Sequence, residues 1–200
     1  MLVLILGLVL FLGVHSARIV AEPARRRFIE KRGENAWKGL YSIVSLIGLV
    51  LIVVGYRAAP YVSVWAPPLW LRHVTLLLTA VAFVLVAAAY VPGNRIRAAV
   101  GHPMVLGVKI WAFAHLLANG ALASMLLFGA FLAWAVADFI AARRRDRAAG
   151  GGVAADRAGG RLGATIATVV VGLVLWVAFA GWLHLALIGV SPIAVGGTPG

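Results

Sequence analysis

Cysteine is absent from this 200-residue chain. Its absence excludes disulfides, thiolate metal sites, iron–sulfur clusters and a cysteine nucleophile. Acids are nearly as scarce, with six Asp and Glu against 18 Lys and Arg and a formal charge of +12. No two carboxylates share an apolar run, so paired-carboxylate acid–base chemistry has no candidates. A phosphate-binding glycine loop, a Ser–His–Asp set and a closed zinc constellation are also missing. A metal or cofactor ligand would have to come from five His, three Met and a few other polar groups.

What the chain does have is apolar surface, at 63% hydrophobic residues and only 12% charged. A soluble domain of this size does not need so much, so lipid is the expected solvent. The positive charge sits in short connections between apolar runs, where it reads as a topology signal. The lipid bilayer is therefore the expected partner, and nucleic acid is not.

The runs predict an all-α, polytopic membrane bundle forming one domain over 1–200, with six transmembrane helices at about 2–18, 40–56, 71–91, 104–118, 121–141 and 164–188. The first run has no basic residue before it, and Arg18 and Arg25 to Arg27 follow it. It is expected to be an uncleaved span with its N-terminus outside. Segment 18–38 carries seven Lys/Arg and three Glu and is expected to be a solvated loop. An interfacial helix dipping Phe28, Ile29 and Trp37 into headgroups is the alternative. Tyr61, Trp65 and Trp70 suggest an aromatic belt in an external loop. The Gly/Ala-rich stretch 143–163 is expected to be a flexible cytoplasmic loop. No internal repeat and no second domain is evident.

The stretch from Met104 to Ala142 matters most. As one helix its 39 residues would run ~58 Å, nearly twice the hydrocarbon thickness. Asn119-Gly120 offers a tight turn that would fold it into a helical hairpin over 104–141. Charge favours the hairpin. It places the loops at 18–38, 92–103 and 143–163, with seven, two and six basic residues, on one side. That side is then cytoplasmic, and both termini lie outside.

Histidine within a span is costly unless it is paired or bound, so it marks a functional candidate. His115 lies deepest, with Trp111 and Asn119 on its helical face. His15 lies above the inner end of the first span, sharing a face with Gly7, Phe11 and Arg18; the glycine would admit a flat ligand or a neighbouring helix. Two histidines on different spans are the minimum set for bis-histidine haem b, and Arg18 could meet a propionate. The bland alternative is that each imidazole simply bonds a carbonyl or a polar side chain. Their unequal depth is an objection, because axial ligands of one iron stand ~4 Å apart. His102 and His184 fall at span ends and are further candidates. Lys109 is expected to snorkel to the inner interface. Gly129, Ala133 and Ala137 form a small-residue stripe expected to pack closely against another helix.

Five blocks carry a family likeness: FLGVHSAR (11–18), GENAWKGLYS (33–42), HPMVLGVKIWAFAHLLANG (102–120), FGAFLAWA (128–135) and HLALIGVSP (184–192). Over nearly its whole length the chain resembles the NnrU family of bacterial inner-membrane proteins. The resemblance implies an association with nitrite and nitric oxide reduction in denitrification, either in its own right or as an accessory or assembly factor for a membrane reductase. The family is also similar to zeta-carotene isomerase, a membrane enzyme that uses haem b. That likeness maps the haem ligands onto His15 and His115. The isomerase has a cysteine three residues before the second histidine, where this chain has Ala112, so chemistry relying on that thiol is not implied. A weaker likeness is to isoprenylcysteine methyltransferases. It lacks their arginine, replaced by Gly101, and their paired glutamates, where Arg143 to Arg147 stand.

Overall fold

The computed structural model describes residues 1–150 and 160–193. Its helices, in chain order, are α1 (Leu2–His15), α2 (Ala17–Val20), α3 (Glu22–Arg32), α4 (Glu34–Arg57), α5 (Leu71–Tyr90), α6 (Arg95–Val100), α7 (Pro103–Ala118), α8 (Leu122–Ala148) and α9 (Leu162–Ala178). A π-helical turn, Phe179–Leu183, carries α9 into α10 (His184–Ile188). Among the described residues there is no strand, only an isolated antiparallel bridge between Ser63 and Ala121.

Four helical stretches are long and apolar enough to cross a bilayer: α4, α5, α8 and α9 through α10. Two apolar helices are shorter, α1 with 14 residues and α7 with 16. The expected six spans thus become four of full length and two short ones packed among them. Neighbours in space follow the order α4, α1, α8, α7, α5, α9. The hairpin expected over 104–141 is present, with α7 packed along α8.

In lipid, helices gain little from hiding apolar side chains, so close van der Waals contact must hold them together. Here glycine provides it. A Cβ on Gly48 of α4 would lie 2.7 Å from the backbone nitrogen of Phe11 on α1. One on Gly7 of α1 would lie 2.6 Å from the Ile52 nitrogen, and one on Gly55 would collide with the Leu4 backbone. Leu4, Leu8, Ile52 and Ala123 close the core at this junction of α1, α4 and α8. Gly172 lets α9 approach Val84 of α5 in the same way. The stripe of Gly129, Ala133 and Ala137, expected to be such a contact, is not one. A Cβ on Gly129 meets nothing within 4 Å, and both alanines are exposed. Small residues permit close approach but do not choose which face makes it.

The connections also differ from expectation. Residues 22–32 form a helix rather than a loop, started by Pro23 in its first turn and closed at Gly33 with φ 86°. Phe28 meets the Trp37 ring edge-on at 5.8 Å and seats α3 on the start of α4. The Asn119-Gly120 break is not a tight turn: Asn119 is extended at φ −126° and ψ 119°. Its backbone pairs instead with the loop at 58–70, through Val64 N to Gly120 O at 2.8 Å and Leu122 N to Val62 O at 2.8 Å. Backbone groups at a half-buried break between helices need partners, and the preceding loop provides them. Gly120 is required there because the Trp65 carbonyl occupies the place of its missing side chain.

On the basic side, α8 runs on to Ala148, so the first third of the expected flexible loop 143–163 is helical. At its other end Arg161 N donates to Gly93 O at 2.8 Å, and Arg95 Nε donates to Gly160 O at 2.8 Å. Residues 151–159, the middle of that expected loop, lie outside the described residues. Asn94 is buried, caps α6 by accepting from Arg97 N at 2.7 Å, and donates to Ala88 O.

Gly48→Ala should destabilise the protein by about 1–3 kcal/mol, since neither helix can retreat without opening the core. Gly129→Ala, facing open space in mid-helix, should be neutral or gain up to about 1 kcal/mol from helix propensity. Thermal melts of the two variants in detergent check the contrast.

Candidate functional site

The candidate site lies where α1, α4, α7 and α8 present aromatic rings to one another. His15, at the last position of α1, points its Nδ1 at the Phe11 carbonyl one turn back, 2.6 Å away. A carbonyl only accepts, so Nδ1 carries the proton and Nε2 of the neutral ring is a bare lone pair. The imidazole stacks on Phe11 at 4.2 Å, lies 5.0 Å from the Tyr41 ring and meets Trp134 edge-on at 5.9 Å. The Trp134 indole nitrogen is buried without a hydrogen-bond partner among the described residues. An unmatched donor in an apolar interior is costly, so this atom marks a place where a polar guest gains most.

His115 is held in the same way. Its Nδ1 donates to the Trp111 carbonyl at 2.8 Å, and Asn119 Nδ2 donates to the His115 carbonyl at 2.8 Å. The ring stacks on Phe128 at 4.5 Å and leans on Trp111 at 5.0 Å. Trp111 and Asn119, expected on the face of His115, are there. His184 donates its Nδ1 proton to Val190 O at 2.7 Å and meets Phe179 edge-on at 5.9 Å.

The two deep imidazoles do not meet. A run of rings separates them, Phe11 to Phe131 at 5.7 Å and Phe131 to Trp111 at 5.6 Å. Their partners on α8, Trp134 and Phe128, are six residues apart, or ~9 Å along the axis. Axial nitrogens of one iron stand ~4 Å apart. The donor chemistry at each histidine therefore fits haem, but in this packing His15 and His115 do not share one iron.

The remaining candidates are placed elsewhere. Gly7 admits α4 rather than a flat ligand. Arg18, on α2, is exposed, and its charge is one of three that act on the Glu22 carboxyl. That carboxyl is held below the ordinary range chiefly by the hydrogen bond from Arg26, against burial, and by the charges of Arg25, Arg26 and Arg18. His102 precedes Pro103 at the start of α7 and places Nε2 2.8 Å from Asp146 Oδ2, tying the base of α7 to the end of α8. Lys109 lays its ammonium over Phe139, 4.6 Å from the ring centre. Sequence reasoning missed Tyr41, Trp134, Phe131 and Asp146. The first three contacts cross between helices, and no spacing within one helix encodes them. Asp146 sits inside an arginine run, where it reads as one more solvated charge.

Because the Trp134 N–H has no partner to lose, Trp134→Phe should cost less than Trp176→Phe, which breaks a bond to Thr79 Oγ1 at 3.1 Å. The difference should be about 1 kcal/mol in paired detergent melts.

Comparison with known proteins gives one result for the whole chain. The family model described as "NnrU protein" matches residues 3–192. No curated protein and no solved structure matches the chain. With its helical, membrane-type architecture and a match over nearly its full length, the chain belongs to the NnrU family.

Proposed function

We propose that this is a multi-pass protein of the bacterial inner membrane that serves nitrite and nitric oxide reduction and holds haem b at the His15 cluster. The observation that carries the cofactor is the bare Nε2 of His15 standing among aromatic rings beside the unpartnered Trp134 N–H. Bound there, haem would supply a redox-active iron. The chain's own part is positional. The Phe11 carbonyl fixes the imidazole tautomer and its orientation, as the outer partner of a ligating histidine does elsewhere. Phe11, Tyr41 and Trp134 keep the surroundings apolar and dry. Arg18, at the basic end of the same segment, offers charge for a carboxylate.

A second reading is favoured by the rings that already fill the space between the two histidines. In it, the bundle is a passive scaffold that supports assembly or activity of a membrane reductase. One preparation separates the two. Protein purified in detergent from haem-sufficient cells should show a Soret band that His15→Ala abolishes and His115→Ala leaves in place. A colourless protein that co-purifies with a reductase overturns the haem reading in favour of the scaffold. Loss of the band in both variants overturns the single-histidine site, since it would require the two levels of the bundle to come together.

A further inference from the structure

A second surface, on the basic side of the molecule, lies outside that reading. Helix α3 and the first turns of α4 enclose a shallow groove lined by Arg27, Phe28, Lys31, Arg32, Ala36 and Leu40. Its cations differ from their neighbours. Arg25 and Arg26 are taken up by Glu22, at 3.3 and 3.0 Å, and Lys38 by Glu34 at 3.0 Å. Arg27, Lys31 and Arg32 have no ion pair among the described residues, and all three are exposed. All three line the groove, Arg27 and Lys31 one turn apart on α3 and Arg32 farther round the helix toward α4. Phe28, packed on Trp37, fixes that face against α4.

The floor of the groove is apolar and does not end there. From Leu40, exposed positions recur along α4 at Ile43, Ile47 and Val50, at the alternating three- and four-residue spacing that draws a straight line down a helix. That line leaves the groove and enters the membrane-spanning part of α4. From Leu40 to Val50 it covers ~15 Å, about half the hydrocarbon thickness. A cluster of unpaired cations above an apolar track one leaflet long has the charge and shape of an anionic phospholipid.

We propose that this groove is a binding site for one anionic phospholipid, its phosphate held by Arg27, Lys31 and Arg32 and an acyl chain laid along Leu40, Ile43, Ile47 and Val50. The site ties α3 to the inner leaflet and makes the seating of the basic segment depend on lipid charge. Zwitterionic lipid offers the phosphate together with a cation, which three unpaired basic side chains repel.

Delipidated full-length protein in detergent, titrated with phosphatidylglycerol or phosphatidylcholine of identical acyl chains and followed by native mass spectrometry, tests this. Phosphatidylglycerol should bind roughly tenfold or more tightly, given the usual effect of several basic residues near a lipid surface. The Arg27→Gln, Lys31→Gln, Arg32→Gln triple variant should lose the preference. The Arg25→Gln, Arg26→Gln variant, whose charges already face Glu22, should keep it. Equal binding of the two lipids overturns the site. So does an equal loss in both variants, which would mean diffuse charge rather than a groove. Displacement of the lipid by millimolar glycerol phosphate would also overturn it, since the apolar track would then contribute nothing. Melts of each variant confirm that these exposed substitutions leave the fold intact.

Discussion

The contact between α1 and α4 holds the rest in place. Three glycines, Gly7, Gly48 and Gly55, bring the two backbones within touching distance. In a hydrocarbon solvent the gain comes from close-range dispersion, which falls off within a fraction of an ångström. The seating of α1 against α4 sets where Phe11 and His15 stand, because both follow Gly7 on the same helical face. It also presents Leu4 and Leu8 to Ala123 on α8 and so positions the second half of the bundle.

Many polar groups inside this bundle are satisfied on their own helix. His15, His115 and Thr168 bond carbonyls one turn back on their own helices. Tyr56 and Ser124 join α4 to α8, and Trp176 and Thr79 join α9 to α5. Local satisfaction keeps each helix self-sufficient in lipid, as a spanning element must be. Against that background, the unpartnered Trp134 nitrogen beside His15 stands apart. The connections follow the same logic. The loop at 58–70 closes the open backbone of residues 119–122, and residues 160–165 close the turn at 93–95.

The charged side of the molecule divides into paired and unpaired cations. The paired ones steady helix ends and the α7–α8 junction: Glu22 with Arg25 and Arg26, His102 with Asp146, Asp138 with Arg145 at 3.7 Å. Such exposed or half-exposed pairs add little stability individually. Their larger effect is to take up charge locally, so that on α3 Arg27, Lys31 and Arg32 are left without an ion pair among the described residues. Glu22 has a lowered pKa, so its pairing is complete above the ordinary carboxylate range. It is lost only as pH falls through that lowered value.

Composition and charge distribution alone determined that this is an all-helical protein of membrane-type helices with a break near Asn119-Gly120. Those features depend on solvent and on backbone hydrogen bonding, and both are legible one residue at a time. The local surroundings of His115 were legible too, since Trp111 and Asn119 lie one turn away on the same helix. The sequence did not determine which small residues make helix contacts, and Gly129 was misplaced for that reason. Nor did it determine that α3 is helical, or that Tyr41 and Trp134 stand beside His15. These depend on the rotation and axial shift of one helix against another, set by the sum of many short-range contacts. Tertiary structure decided them because a helix rotated or slid by one residue keeps its own hydrogen bonds and composition while exchanging every neighbour.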